Sequence, residues 1–153
     1  MPYWLQVLQG LLTPLIALIT TYIAWQQWRA AELKINMDRY ERRLAIYQAT
    51  HRFISSVIQT AKPDINEMFG FYAATAEADF LFPDEVRQYL DAAFSHANHL
   101  HTANLQYCDY TMEPPPNYNH RQVVDTMHEN LTWFTEQPAA AKALFKKYLS
   151  ITA

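Results

Sequence analysis

Residues 3–25 read YWLQVLQGLLTPLIALITTYIAW, and the first charged residue of the chain is Arg29. As a helix this uncharged run would extend about 34 Å at about 1.5 Å per residue, enough to cross a hydrocarbon core of about 30 Å. Tyr3 and Trp4 stand at one end and Tyr22, Trp25 and Trp28 at the other, the depths at which amphipathic rings settle in a bilayer. Pro14 falls mid-run, where a membrane helix tolerates a kink better than a soluble one. The reading is a single transmembrane anchor over residues 1–28. It is not a cleaved leader: no Lys or Arg precedes the run, the run is long, and Trp25-Gln26-Gln27-Trp28 makes a poor cleavage site.

Outward from that stretch the charge is uneven. Residues 1–53 hold six Lys or Arg against three acidic residues, and residues 54–153 hold six against twelve. Arg29, Lys34, Arg39, Arg42 and Arg43 follow the apolar run directly. Their placement predicts anionic headgroup contact and, by the positive-inside tendency, a cytoplasmic C-terminal domain with the N-terminus outside. The acidic remainder argues against nucleic acid as a partner.

Residues 29–153 read as one helical domain. Two glycines in 153 residues disfavour a turn-rich β fold. Residues 26–59 lack Gly and Pro, so the anchor helix is expected to run on into the domain. Tyr40, Leu44, Tyr47, His51, Ile54 and Ile58 recur at alternating steps of four and three, one apolar stripe. Asp64 with Glu67 has the form of a capping box. A short helix should follow, with Ile65, Met68, Phe69 and Tyr72 on its inner face. Phe80-Leu81-Phe82 reads as a core plug, and Pro83, Asp84 and Glu85 as a helix start. Val86, Leu90, Phe94 or Ala93, Ala97, Leu100, and Asn104 or Ala103 continue at helical spacing. Residues 109–120, with Pro114 to Pro116, form a loop. A last helical region presents Val124, Met127, Leu131 and Phe134, is interrupted at Pro138, and resumes with Leu144, Phe145, Tyr148 and Leu149. The expected fold is all-α: one transmembrane helix continuing into a cytoplasmic antiparallel helical bundle.

No motif carries chemistry. His96, His99, His101, His120 and His128 are the residues to watch, but there is no HExxH and no paired Glu-x-x-His. Cys108, the only cysteine, excludes a disulfide and has no local histidine or cationic partner. Glu77, Asp79, Asp84 and Glu85 cluster where helix ends need them, and no Gly-rich phosphate loop exists. Neither a catalytic residue nor a metal or other cofactor is expected.

The stretches Tyr22-Ile-Ala-Trp-Gln-Gln-Trp-Arg29, Asp38 to Tyr47, Phe80 to Phe82 and, more weakly, Trp133-Phe134 resemble a group of uncharacterised small bacterial proteins with one N-terminal membrane helix. The resemblance implies anchoring in the bacterial inner membrane and transfers no activity. The Pro114 to Pro116 loop and the histidines depart from the group's pattern. The functional expectation is a non-enzymatic, membrane-anchored module. It would bind lipids and another membrane or membrane-associated protein, or stabilise a membrane complex. Alternatives are a small regulatory or effector protein that forms homo-oligomers through Gln6, Gln9, Thr13 and Thr20, and a histidine-dependent metalloenzyme.

Overall fold

The computed structural model describes residues 3–149, apart from the side chains of residues 4–9, 11 and 13. Among the described residues the chain is all-α, with helices α1 (Tyr3–Thr60), α2 (Ile65–Ala74), α3 (Ala78–Leu81), α4 (Asp84–Gln106) and α5 (His120–Lys146). It divides into two compact units, residues 1–39 and 40–153.

The first unit is the N-terminal part of α1. Helix is assigned without a break through residues 26–44, as the absence of Gly and Pro there predicts. Pro14 lies inside α1. A membrane-crossing segment over residues 3–25 is not supported: among the described residues no helix is long and apolar enough to cross a membrane. Thr20 and Thr21 interrupt the fully described part of the run, residues 14–25, and Gln26 and Gln27 follow it. The calls on Trp4, Gln6, Gln9 and Thr13 fall on side chains outside the described residues.

The second unit is a bundle built up and down. Arg43 meets Leu81 and Tyr148, while residues 61 and 63 meet Asn104 and His101, so the bundle part of α1 runs parallel to α4. Tyr47 meets Phe145 and Phe53 meets Phe134, which makes α5 antiparallel to α1. The Ser56–Glu67, Phe53–Phe71 and Arg42–Glu77 pairs send α2 and its connector back along α1. The expected antiparallel bundle is therefore present. Its core holds Ile46, Phe53, Ile54 and Val57 of α1, Met68 and Phe71 of α2, Val86, Leu90, Ala93, Ala97 and Leu100 of α4, and Phe134, Ala141 and Phe145 of α5, with Phe82 between helices.

Local chemistry sets the helix ends. The Asp64 carboxylate accepts from the Asn66 and Glu67 amides at 2.8 and 3.3 Å, as an N-cap should. Glu67 does not complete the box; its carboxylate accepts from the Ser56 hydroxyl at 2.6 Å and fastens α2 to α1. Asn119 caps α5 through the Gln122 amide. Ala61 ends α1 at φ 53°, a left-handed conformation costing an L-residue about 1 kcal/mol, and its carbonyl accepts from the Asn104 side chain.

Four faces differ from expectation. The buried line of α1 is Ile46, Thr50, Phe53 with Ile54, and Val57; His51 is exposed, and Tyr40, Leu44, Tyr47 and Ile58 are half-buried. In α2 the buried residues are Met68 and Phe71, leaving Ile65, Phe69 and Tyr72 outside. Phe82 plugs the core, but Phe80 is 90% exposed. Pro138 does not interrupt the last helix: α5 runs through it, and the buried line Val123, Asn130, Phe134, Gln137, Ala141, Phe145 continues on both sides. That packing outweighs the one ladder bond a proline removes. The α4 face matches its expectation at Val86, Leu90, Ala97 and Leu100, and of the two alternatives it buries Ala93 rather than Phe94 and Ala103 rather than Asn104.

Candidate functional site

Among the described residues, the N-terminal unit carries its apolar side chains in the open. Leu12, Leu15, Ile16, Leu18, Ile19, Tyr22, Ile23, Trp25 and Trp28 are all exposed. At about 100° per residue they take up about two thirds of the helix circumference, and Ala17, Ala24, Thr20 and Gln27 fill the rest. A helix apolar over most of its surface is ordinarily buried in a core or a membrane. Thr20 and Thr21 return their hydroxyls to the Ile16 and Ala17 carbonyls, so the segment shows few polar groups of its own. At its C-terminal edge stands a small aromatic and cationic group. Gln26 Nε2 donates to the Tyr22 hydroxyl at 2.9 Å, the Tyr22 and Trp25 rings lie 6.4 Å apart, and the Arg29 guanidinium sits 5.2 Å from the Trp25 ring centre. Such a cation–π contact at an exposed site contributes about 0.5–1 kcal/mol. Tyr3 is 86% exposed, and Lys34 and Arg39 are also exposed.

The remaining two cations of the predicted headgroup set are paired with groups of the bundle, Arg42 at its surface and Arg43 half-buried. Arg42 pairs with Glu77 at 3.2 Å. Arg43 donates to the Leu81 carbonyl at 3.0 Å and to the Tyr148 carbonyl at 3.1 Å, with its guanidinium 5.6 Å from the Phe82 ring centre. These carbonyls belong to the C-terminal ends of α3 and α5, where the helix dipole favours a cation. Arg43 thus ties the start of the bundle to two other helix ends. Beside it, Glu85 accepts from the Tyr148 hydroxyl at 2.8 Å and from Lys147 at 3.0 Å. The Tyr148 hydroxyl, then Lys147, hold the Glu85 carboxyl below the ordinary range; Glu85 in turn raises both partners. Burial pushes the Tyr89 phenol up, and its hydroxyl has no hydrogen-bond partner.

The histidines go to separate tasks. His96 Nδ1 meets Asn130 Oδ1 at 2.8 Å, and its ring stacks on Trp133 at 4.2 Å. His101 meets the Pro63 carbonyl, and His120 meets the Tyr118 hydroxyl. His99 and His128 are exposed. Among the described residues no three of His, Cys, Asp and Glu are grouped as metal ligands would be. At the bundle end opposite Tyr40, the 107–119 loop covers an open cavity of about 640 Å³ lined by His99, Gln106, Cys108, Pro115, Pro116 and Tyr118. The Cys108 amide donates to the Tyr118 hydroxyl, which pins the loop. Asp109 is held ionised by the Thr111 hydroxyl and amide.

No protein-family model, curated protein or solved structure matches this chain.

Sequence reasoning missed Arg43 as a bundle residue, because its two carbonyl partners lie far along the chain. It also began the four–three stripe at Tyr40. The same spacing runs backward through Met37, Leu33, Ala30, Gln26, Ile23, Ile19 and Ile16 to Leu12, all of them exposed. That spacing alone was signal enough to find them.

Proposed function

We propose that this protein is a membrane-anchored, non-enzymatic helical module whose bundle binds another membrane or membrane-associated protein. One observation carries the reading: Leu12 to Trp28 exposes nine large apolar side chains over most of the helix circumference, with no charged residue before Arg29. Leaving such a surface in water is costly at roughly 25 cal/mol per Å². A bilayer covers all sides of a helix at once, which a single partner groove does not. Residues 3–28 would extend about 39 Å as a helix, and the Tyr22, Trp25 and Arg29 group suits the headgroup boundary. Arg29, Lys34 and Arg39 then favour the cytoplasmic side of a bacterial inner membrane for the bundle. The experiment is alkaline extraction of membranes from cells making the full chain. The protein should stay in the membrane pellet. Quantitative release into the supernatant would exclude an inserted segment.

A second reading, a homo-oligomeric regulatory or effector protein, is favoured by the exposed four–three stripe. It is compatible with anchoring and is developed below.

A further inference from the structure

From Leu12 to Met37, α1 keeps an alternation of steps of four and three that is apolar at every position except Gln26. Taking Ile16, Ile23, Ala30 and Met37 as positions a, the d positions are Leu12, Ile19, Gln26 and Leu33. Three of the four isoleucines before Tyr40 fall on this seam. A straight helix drifts by about 20° per heptad against such a repeat, or roughly 70° between Leu12 and Met37. A stripe designed for a flat lipid surface or a single globular core would follow the helix's own period of 3.6. A strict repeat of 3.5 is matched by another helix supercoiled around it. Within residues 12–37 the seam residues are open: Ile16 is 52% exposed, Leu33 66% and Met37 64%.

The flanks agree with that assignment. Pro14, Thr21 and Trp28 occupy the outward f positions, so the proline and the large indole avoid the seam. Gln26 is the one polar amide on the seam between residues 12 and 37, the kind of residue that fixes register at some expense of strength. Beyond Trp28 the residues off the seam include Arg29, Glu32, Lys34, Asp38 and Arg39, while Ala30, Leu33 and Met37 keep it apolar. A bilayer accounts for the apolar segment before Arg29. It does not account for Leu33 and Met37 lying in one line among charges.

We infer that residues 12–37 form a parallel seam with further copies of this chain, making the protein a homo-oligomer through α1. The occupant is a second copy because an identical helix in parallel presents the same repeat in the same register, with Gln26 opposite Gln26. The parallel sense rests on the anchoring reading, under which every copy enters the membrane the same way round. Ile16, Ile19 and Ile23 at successive a and d positions favour more than two strands. One feature weakens the seam: Arg29 at g faces Lys34 at e of the neighbouring helix, a like-charge pair.

That weak point supplies the test, made on the full chain in mild detergent and in phospholipid vesicles, with association read by sedimentation equilibrium and cross-linking. Wild type should self-associate. Leu33→Asn with Met37→Asn should weaken association at least tenfold, while Ile35→Asn at the outward f position leaves it unchanged. Lys34→Glu should tighten it several-fold at low salt, with the gain fading as salt rises, because the new carboxylate would face Arg29 of its neighbour. A monomeric wild type, or equal effects of the seam and f-position variants, would overturn the inference. Flotation of the same samples with vesicles separates the two readings. A floating monomer removes the seam and leaves the anchor; an oligomer that fails to float retains self-association and removes the anchor and the parallel sense derived from it.

Discussion

Ile16, Ile19 and Ile23 in the N-terminal part of α1 remain about half exposed, whereas Ile46, Ile54 and Val57 farther along the same helix are almost fully buried. The residue chemistry is nearly the same in both places. What differs is the company: α2, α4 and α5 surround the later residues, whereas the earlier ones belong to a unit made of the N-terminal part of α1. Apolar content alone therefore does not define a core. In residues 40–60 the hydrophobic term is satisfied by burial within the bundle, and in residues 12–37 the apolar side chains stay exposed.

The sharpest way to break that contrast is to remove equivalent apolar bulk from each side of it. Phe134 is fully buried, edge-on to Phe53 and Trp133. Phe134→Ala should destabilise the bundle by about 3–5 kcal/mol in chemical denaturation followed by circular dichroism. Ile19→Ala should change the same transition by less than about 0.5 kcal/mol. Comparable losses would mean that residues 12–37 are packed against the bundle after all.

Arg43 probes where the satisfied region begins. Its two carbonyl bonds make it part of the bundle despite its place in a run of flanking cations. Arg43→Met keeps most of the stem and removes the charge, and should cost about 2 kcal/mol of bundle stability. Arg39→Met should leave stability unchanged. A smaller effect of opposite sign is expected at the far end of α1. Ala61→Gly relieves the left-handed strain at φ 53° and should raise stability by about 0.5–1 kcal/mol, read by thermal unfolding.

How much of this was legible in the sequence varied with how many apolar lines each helix offered. In α4 one line dominates, and Val86, Leu90, Ala97 and Leu100 are readable from it, while Phe94 beside Ala93 and Asn104 beside Ala103 leave two positions open until the packing is seen. Helix α2 is apolar nearly all round, so Ile65, Phe69 and Tyr72 competed with Met68 and Phe71, and only tertiary packing decides between them. In the bundle part of α1 two lines run side by side, and the fold buries the one headed by Arg43, a residue that reads as a surface cation. Pro138 reads as a stop because propensity is local, while the packing that carries α5 through it is not. For the candidate functional segment, the uncharged run and the four–three spacing were both visible; which residues they leave uncovered was not.

The gentlest prediction concerns the clasp at the end of α5. Because the Tyr148 hydroxyl and Lys147 hold Glu85 in its ionised form, this clasp contributes stability above the carboxyl's unfolded-state value and loses it as pH falls through the lower folded one. A carbon-13 NMR titration should place the Glu85 midpoint below that of an ordinary glutamate, and Tyr148→Phe should move it upward. An unmoved midpoint would show that the hydroxyl is not its main partner.

The central claim is that residues 3–28 lie in lipid while the bundle does not, and the tryptophans report on it directly. Two full-length proteins suffice, one with Trp133→Phe and one keeping Trp133 alone, each mixed with vesicles of brominated phospholipid. Under this account the tryptophans left in the first protein, Trp4, Trp25 and Trp28, are quenched and blue-shifted, most strongly by bromines near the headgroups, while Trp133, stacked on His96 in the bundle, is untouched. Unquenched, buffer-like emission from the Trp133→Phe protein would contradict it.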